Sequence, residues 1–169
     1  MVCCCASKPI TKVELMLSKL ELKVPPVVVV LAMASLMWIA AASTPDLTRV
    51  FGAGHLVAAV LDCFGLLISY LGVTSFRRSR TTVNPLKPQT ATTLVTSGIY
   101  QRTRNPMYLG FLIVLLGWGV LLSNVIAFIF LPLFIFYMNR FQIHPEERAL
   151  ATLFGKEFAF YRSKVRRWL

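Results

Sequence analysis

Four apolar runs set the terms for any fold of this chain. They are residues 25–42 (PPVVVVLAMASLMWIAAA), 50–76 (VFGAGHLVAAVLDCFGLLISYLGVTSF), 107–122 (MYLGFLIVLLGWGVLL) and 125–138 (VIAFIFLPLFIFYM). Crossing the hydrocarbon core of a bilayer takes about 20 residues of helix. The first two runs meet that length. The last two are shorter, about 24 Å and 21 Å at a rise of about 1.5 Å per residue, so their flanks are expected to extend both helices. Only Ser123 and Asn124 separate them, which reads as a tight helical hairpin. The expected fold class is all-α. It is an integral membrane protein with about four transmembrane helices, a C-terminal helical hairpin and an amphipathic cytoplasmic tail helix.

Charge then orients the spans. The chain has 18 Lys+Arg against 7 Asp+Glu, and 56% of its residues are hydrophobic. Nucleic-acid binding accounts for the charge but not for the apolar runs, so nucleic acid is not expected as a partner. With four spans, Arg49 alone falls on one side and the other seventeen basic residues fall on the opposite side. The positive-inside rule makes that second side the cytoplasm and places both termini there. The expected location is an integral membrane protein, in the cytoplasmic (inner) membrane if prokaryotic. Membrane lipids are the first expected partners, and the oligomeric state stays open.

Three regions follow: an amphipathic amino-terminal segment (1–24), the first two spans (25–76), and a third region comprising connector, hairpin and tail (77–169). In the first, Val13, Met16, Leu17 and Leu20 fall at helical spacing with lysines opposite. The connector carries Pro85 and Pro88 and many threonines, against a long helix. The tail begins with Pro145 and two glutamates, a favourable start for a helix. Leu150, Leu153, Phe154, Phe158 and Tyr161 then recur at three- and four-residue steps, with a break expected near Gly155. Its basic end, beside Trp168, suits an anionic lipid surface. Cys3, Cys4 and Cys5 are consecutive, Cys63 lies in an apolar run, and no metal-ligand spacing appears. Gly110 and Gly117 share a helix face suited to close packing. His55 and Asp62, seven apart in the second run, share a face too. They read either as polar contacts between helices or as a proton or substrate path.

Two polar clusters bracket the hairpin. Tyr100, Arg102, Arg104, Asn105 and Tyr108 precede or begin the third run. Asn139, Arg140, Gln142, His144, Glu146 and Glu147 follow the fourth. An antiparallel hairpin brings both to one membrane boundary. They read either as anchors at the interface or as a pocket with an apolar floor, aromatic walls and charges of both signs. In the pocket reading a carboxylate binds an ammonium or a ribose diol, tyrosines stack on a base or face a sulfonium, and Arg104 holds a carboxylate.

The stretches LVTSGIYQRTRNPMYLG and PEERALATLFGKEFAFYRSKVRRW together resemble the integral-membrane methyltransferases of the isoprenylcysteine carboxyl methyltransferase and phospholipid methyltransferase type, including their small prokaryotic members. The resemblance covers about residues 92–169. It implies an S-adenosylmethionine site and a lipophilic or lipid-modified substrate arriving from the bilayer. By the resemblance, Thr92, Thr93, Leu94 and Val95 match a cofactor-lining stretch and Tyr100 a cofactor-contacting tyrosine. Arg104 lies in the same cofactor segment, Asn105, Pro106, Met107 and Tyr108 match its R-H-P-x-Y core, and Glu146 matches a cofactor-binding glutamate. Glu147 and Arg140 are the candidate catalytic residues, and Arg140 and Gln142 the candidate substrate-binding ones. Two positions depart from the pattern. Asn105 stands where the family has histidine, and Gln142 where the prenylcysteine enzymes have an arginine four residues before the glutamate. The resemblance implies methyl transfer, a reaction that depends on alignment and desolvation more than on acid–base help. Two rival readings stand beside it: a membrane reductase using a nicotinamide cofactor, and a non-catalytic membrane scaffold.

Overall fold

The computed structural model describes residues 21–45, 54–79 and 91–169. The expected amphipathic helix over 1–24 lies almost wholly outside the described residues, as do Arg49 and the prolines of the connector. Among the described residues five α-helices follow one another: α1 (Pro26–Ser43), α2 (Gly54–Arg78), α3 (Pro106–Leu122), α4 (Phe130–Met138) and α5 (His144–Lys164). Among the described residues there is no strand.

α1 is apolar all round, as a lipid-facing span is, and it starts at a Pro-Pro pair whose missing N–H costs nothing there. The faces of α1 and α2 that point away from the protein carry Leu31, Trp38, Leu56, Val60, Leu66 and Tyr70, all largely exposed. α1, α2 and the run from Val125 onward are long and apolar enough to cross a membrane. α3 has 17 residues, about 25 Å, and its flanks do not extend it.

α2 and α3 pack closely and antiparallel. Gly72 meets Pro106 and Met107, Gly65 meets Gly110, and Asp62 and Ala58 meet Gly117. A Cβ on Gly65 would stand 2.6 Å from the Gly110 carbonyl oxygen, so the backbones touch only because small residues face each other. Gly110 and Gly117 thus serve the packing expected of them. Asp62 is a contact between helices, with one oxygen against Gly117. His55 is exposed.

The hairpin turn is as tight as its two residues imply. Ser123 takes the left-handed conformation, φ 51°. Asn124, fully buried, accepts from the Ile126 N–H at 2.9 Å and donates to the Thr44 carbonyl (2.9 Å) and hydroxyl (3.0 Å). This ties the hairpin tip to the end of α1. At the other end of the bundle, Val24 meets Gln142. Glu21–Val24, the carboxyl end, the start of α3 and the end of α4 therefore share one face of the protein. The core between α1, α3 and α4 is built on Met37, Tyr108, Leu115, Phe134, Met138 and Ile143.

The tail does not start a separate helix at Pro145. α4 runs into α5 through a π-turn, Asn139–Ile143, in which the His144 N–H reaches back five residues to the Asn139 carbonyl. The break expected near Gly155 is present, at φ 45° and ψ −113°, backbone space that glycine occupies readily.

Candidate functional site

The site sits where the 3-10 turn Gly98–Gln101, the start of α3, the start of α5 and the extended carboxyl end meet. Gly98 enters the turn at φ +64°, close beneath Ser75 of α2, and delivers Tyr100 into the interior. Tyr161, one face of α5 later, donates its hydroxyl to the Tyr100 carbonyl at 2.7 Å. Phe76 closes edge-on against the Tyr100 ring, 5.3 Å between centroids. Burial, then Tyr161 and Glu146, holds the Tyr100 hydroxyl well above the usual phenol range.

From α3, the buried Tyr108 hydroxyl donates to Glu146 Oε1. Part of the Glu146 side chain reaches the surface, but its carboxyl is enclosed. Lying beyond the apolar stretch of the fourth run, it is pushed up to about 8. Desolvation is the main cause. Glu147 adds to it, and the Tyr108 hydrogen bond works against it.

Glu147 lies between two arginines. Its Oε1 is 2.9 Å from Arg104 Nη1 and 3.2 Å from Arg167 Nε, and its Oε2 is 2.7 Å from Arg167 Nη2. The Arg104 contact is close in distance but lacks hydrogen-bond geometry, and Arg104 Nε is buried without a partner. An unpaired buried guanidinium N–H is costly, and an anionic acceptor would relieve it. Desolvation lowers the Arg104 pKa, against the pull of Glu147.

The carboxyl end seals this arrangement. Arg104 N–H donates to the Arg166 carbonyl (3.0 Å), while Thr103 Oγ1 (3.2 Å) and Asn105 Nδ2 (3.0 Å) donate to the Arg167 carbonyl. Trp168 Nε1 reaches Asn139 Oδ1 at 3.2 Å.

The structure therefore brings together Tyr100, Arg104, Asn105, Pro106, Tyr108, Glu146 and Glu147. Met107 flanks them from α3, half-buried, and its carbonyl accepts from Ser69 at 3.3 Å. Of the connector, Thr92 and Thr93 are exposed, Val95 is buried, and Leu94 packs on Phe158, Tyr161 and Val165. A cleft of about 400 Å³ opens between the connector and α5, lined by Thr96, Gln101, Phe160 and Tyr161 among others. Arg140 and Gln142 are engaged elsewhere. Arg140 is paired with Glu21 at 2.6 Å, and Gln142 Nε2 donates to the Val24 carbonyl at 2.6 Å. Sequence reasoning did not single out Arg167, Glu21 or the partnership of Tyr161 with Tyr100. A basic tail next to tryptophan reads as a lipid anchor, and only the fold turns Arg167 inward. Among the described residues no cluster suited to a metal ion forms.

Comparison with known proteins follows the same residues. No solved structure matches significantly. An uncharacterised protein of Haemophilus influenzae is 46% identical over 63 residues, 37% of this chain and 100% of that protein. A probable protein-S-isoprenylcysteine O-methyltransferase of Oryza sativa subsp. indica is 33% identical over 109 residues, 64% of this chain and 57% of that protein. The protein-S-isoprenylcysteine O-methyltransferase of Rattus norvegicus is 29% identical over 120 residues, 71% of this chain and 41% of that protein. The chain thus spans less than two thirds of either methyltransferase. Residues 53–157, from the start of α2 into α5, match the family model described as phospholipid methyltransferase. On that match, the chain belongs to the phospholipid methyltransferase family.

Proposed function

We propose that this protein is a membrane methyltransferase that uses S-adenosylmethionine and acts on a lipophilic substrate from the bilayer. The observation that carries the reading is the Tyr108–Glu146 pair, set beside the unpaired Arg104 Nε at the end of an apolar bundle. This donor set fits the cofactor. Glu146 is placed to accept from an ammonium or a ribose diol. Arg104 offers an N–H to a carboxylate, and Phe160 and Tyr161 offer aromatic surface in the cleft. When bound, S-adenosylmethionine supplies an electrophilic methyl group on a sulfonium sulfur.

The protein's part is alignment and exclusion of water. Tyr108, Leu109 and Ile143 form a dry wall at the boundary, and desolvation strengthens every electrostatic contact there. Both oxygens of Glu147 are engaged by guanidinium groups, so Glu147 serves to hold Arg104 and the carboxyl end. The four-span reading puts seventeen basic residues on one side, and that asymmetry supports a cytoplasmic site and cytoplasmic termini, where a soluble cofactor is available.

The test is calorimetric titration of the detergent-purified protein with S-adenosylmethionine and S-adenosylhomocysteine, beside a Glu146→Ala/Tyr108→Ala variant. Micromolar-range binding that the variant loses supports the reading. Absence of binding by folded wild-type protein refutes it.

A further inference from the structure

Pro145 creates a problem inside a continuous helix. It has no N–H, and its ring crowds the carbonyl four residues earlier, that of Phe141. The π-turn Asn139–Ile143 is the relief: it widens the helix by one residue just before the proline. Pro145 has no N–H to give the Phe141 carbonyl, its partner four residues back in an α-helix. The structure gives that carbonyl one from the other end of the chain, since the Leu22 N–H donates to the Phe141 oxygen at 3.0 Å.

Three further contacts surround that bond. Gln142 Nε2 donates to the Val24 carbonyl at 2.6 Å. The Glu21 carboxylate takes Arg140, inside the π-turn, at 2.6 Å on one oxygen, and Arg148, beyond the proline, on the other. The Glu21 side chain is 11% exposed, so it lies well inside this cluster. Leu22 itself adopts φ 56°, a conformation a branched residue keeps only where its surroundings hold it.

One extra residue in a helix turns everything after it by about 100°. Glu146 is the first residue past Pro145, so its direction depends on the π-turn. We infer that Glu21–Val24 is a positioning clamp: it stabilises the π-turn that Pro145 imposes and thereby holds Glu146 against Tyr108. The inference rests on the proposed function for its consequence in cofactor binding, but its geometry stands without it. It also gives Arg140 and Gln142 a task, since both hold the clamp.

The test uses Glu21→Ala and the milder Glu21→Gln, whose amide oxygen still accepts from Arg140. The first readout needs no ligand. It is the pH midpoint of the Glu146 carboxyl, taken from the infrared carboxyl band of each protein minus the same protein carrying Glu146→Gln. The groups facing Glu146 are Tyr108 of α3, Tyr100 of the 3-10 turn and its neighbour Glu147. Loss of the clamp frees Glu146 toward water and lowers the midpoint by about one pH unit, with Glu21→Gln intermediate. The second readout is S-adenosylhomocysteine affinity at pH 9, where Glu146 is ionised with or without the clamp; it is expected to weaken about tenfold in Glu21→Ala as Glu146 leaves its place beside Tyr108. An unchanged midpoint in folded Glu21→Ala protein, or in Glu21→Gln should Glu21→Ala not fold, overturns the clamp. Shifted midpoints without any wild-type binding would leave the clamp standing and remove the methyltransferase reading. Wild-type binding with unmoved midpoints would do the reverse.

Discussion

Cofactor binding should release a proton, because Glu146 is held near pH 8 in the free protein. At pH 6, about two units below that midpoint, roughly 1% of the carboxyl is ionised. If the ligand ammonium or ribose is received by the carboxylate, the cost of ionising Glu146 enters the affinity at about tenfold per pH unit below 8. S-adenosylhomocysteine should therefore bind about tenfold tighter at pH 7 than at pH 6, and the gain should flatten above 8. Calorimetry at pH 6.5 in buffers of different ionisation heat should count about one proton released. Glu146→Gln should bind weakly with no such slope. A wild-type affinity flat from pH 6 to 8, or a Gln variant with the wild-type slope, would refute the assignment of Glu146. The sign for folding is opposite. A carboxyl raised from 4.5 to about 8 contributes stability that is fully present below 4.5 and lost as pH rises through 8. The ligand-free protein should melt earlier at pH 8.5 than at pH 6.

Three substitutions test the frame. Tyr161→Phe deletes the hydroxyl that serves the Tyr100 carbonyl and should cost about 1 kcal/mol in thermal unfolding in detergent. Gly65→Ala sets a methyl 2.6 Å from the Gly110 oxygen and should cost about 1–3 kcal/mol by forcing α2 off α3. Asn124→Ala removes the cap of the hairpin turn and both donors to Thr44, and a loss of about 1–3 kcal/mol is expected in the same assay. A wild-type melting temperature in any of them would contradict the contact concerned.

The hairpin was legible because apolar length, a two-residue turn and two polar clusters all point the same way. The meeting of Tyr108 with Glu146, 38 residues apart, follows from that topology alone. The π-turn was not legible. Proline followed by two glutamates is the signature of a helix start, and here the same residues lie within a helix whose lost hydrogen bond is supplied by Leu22. No local pattern announces a donor more than a hundred residues away. Arg140 illustrates the same limit. An arginine at the end of a span reads as a substrate ligand, and only the fold shows that it pairs with Glu21. The motif resemblance began near residue 92, whereas the family match begins at residue 53. The α2 share includes Gly65 and Gly72, whose part in packing shows only against α3.

The most direct measurement of the central claim is transfer of labelled methyl from S-adenosylmethionine in proteoliposomes containing candidate lipids and lipid-modified acids, followed by organic extraction. Methyl transfer to a lipophilic acceptor puts label in the lipid fraction, and Glu146→Ala loses it. Label that stays in the aqueous phase across the substrate panel, with protein that is folded and binds S-adenosylhomocysteine, would contradict it.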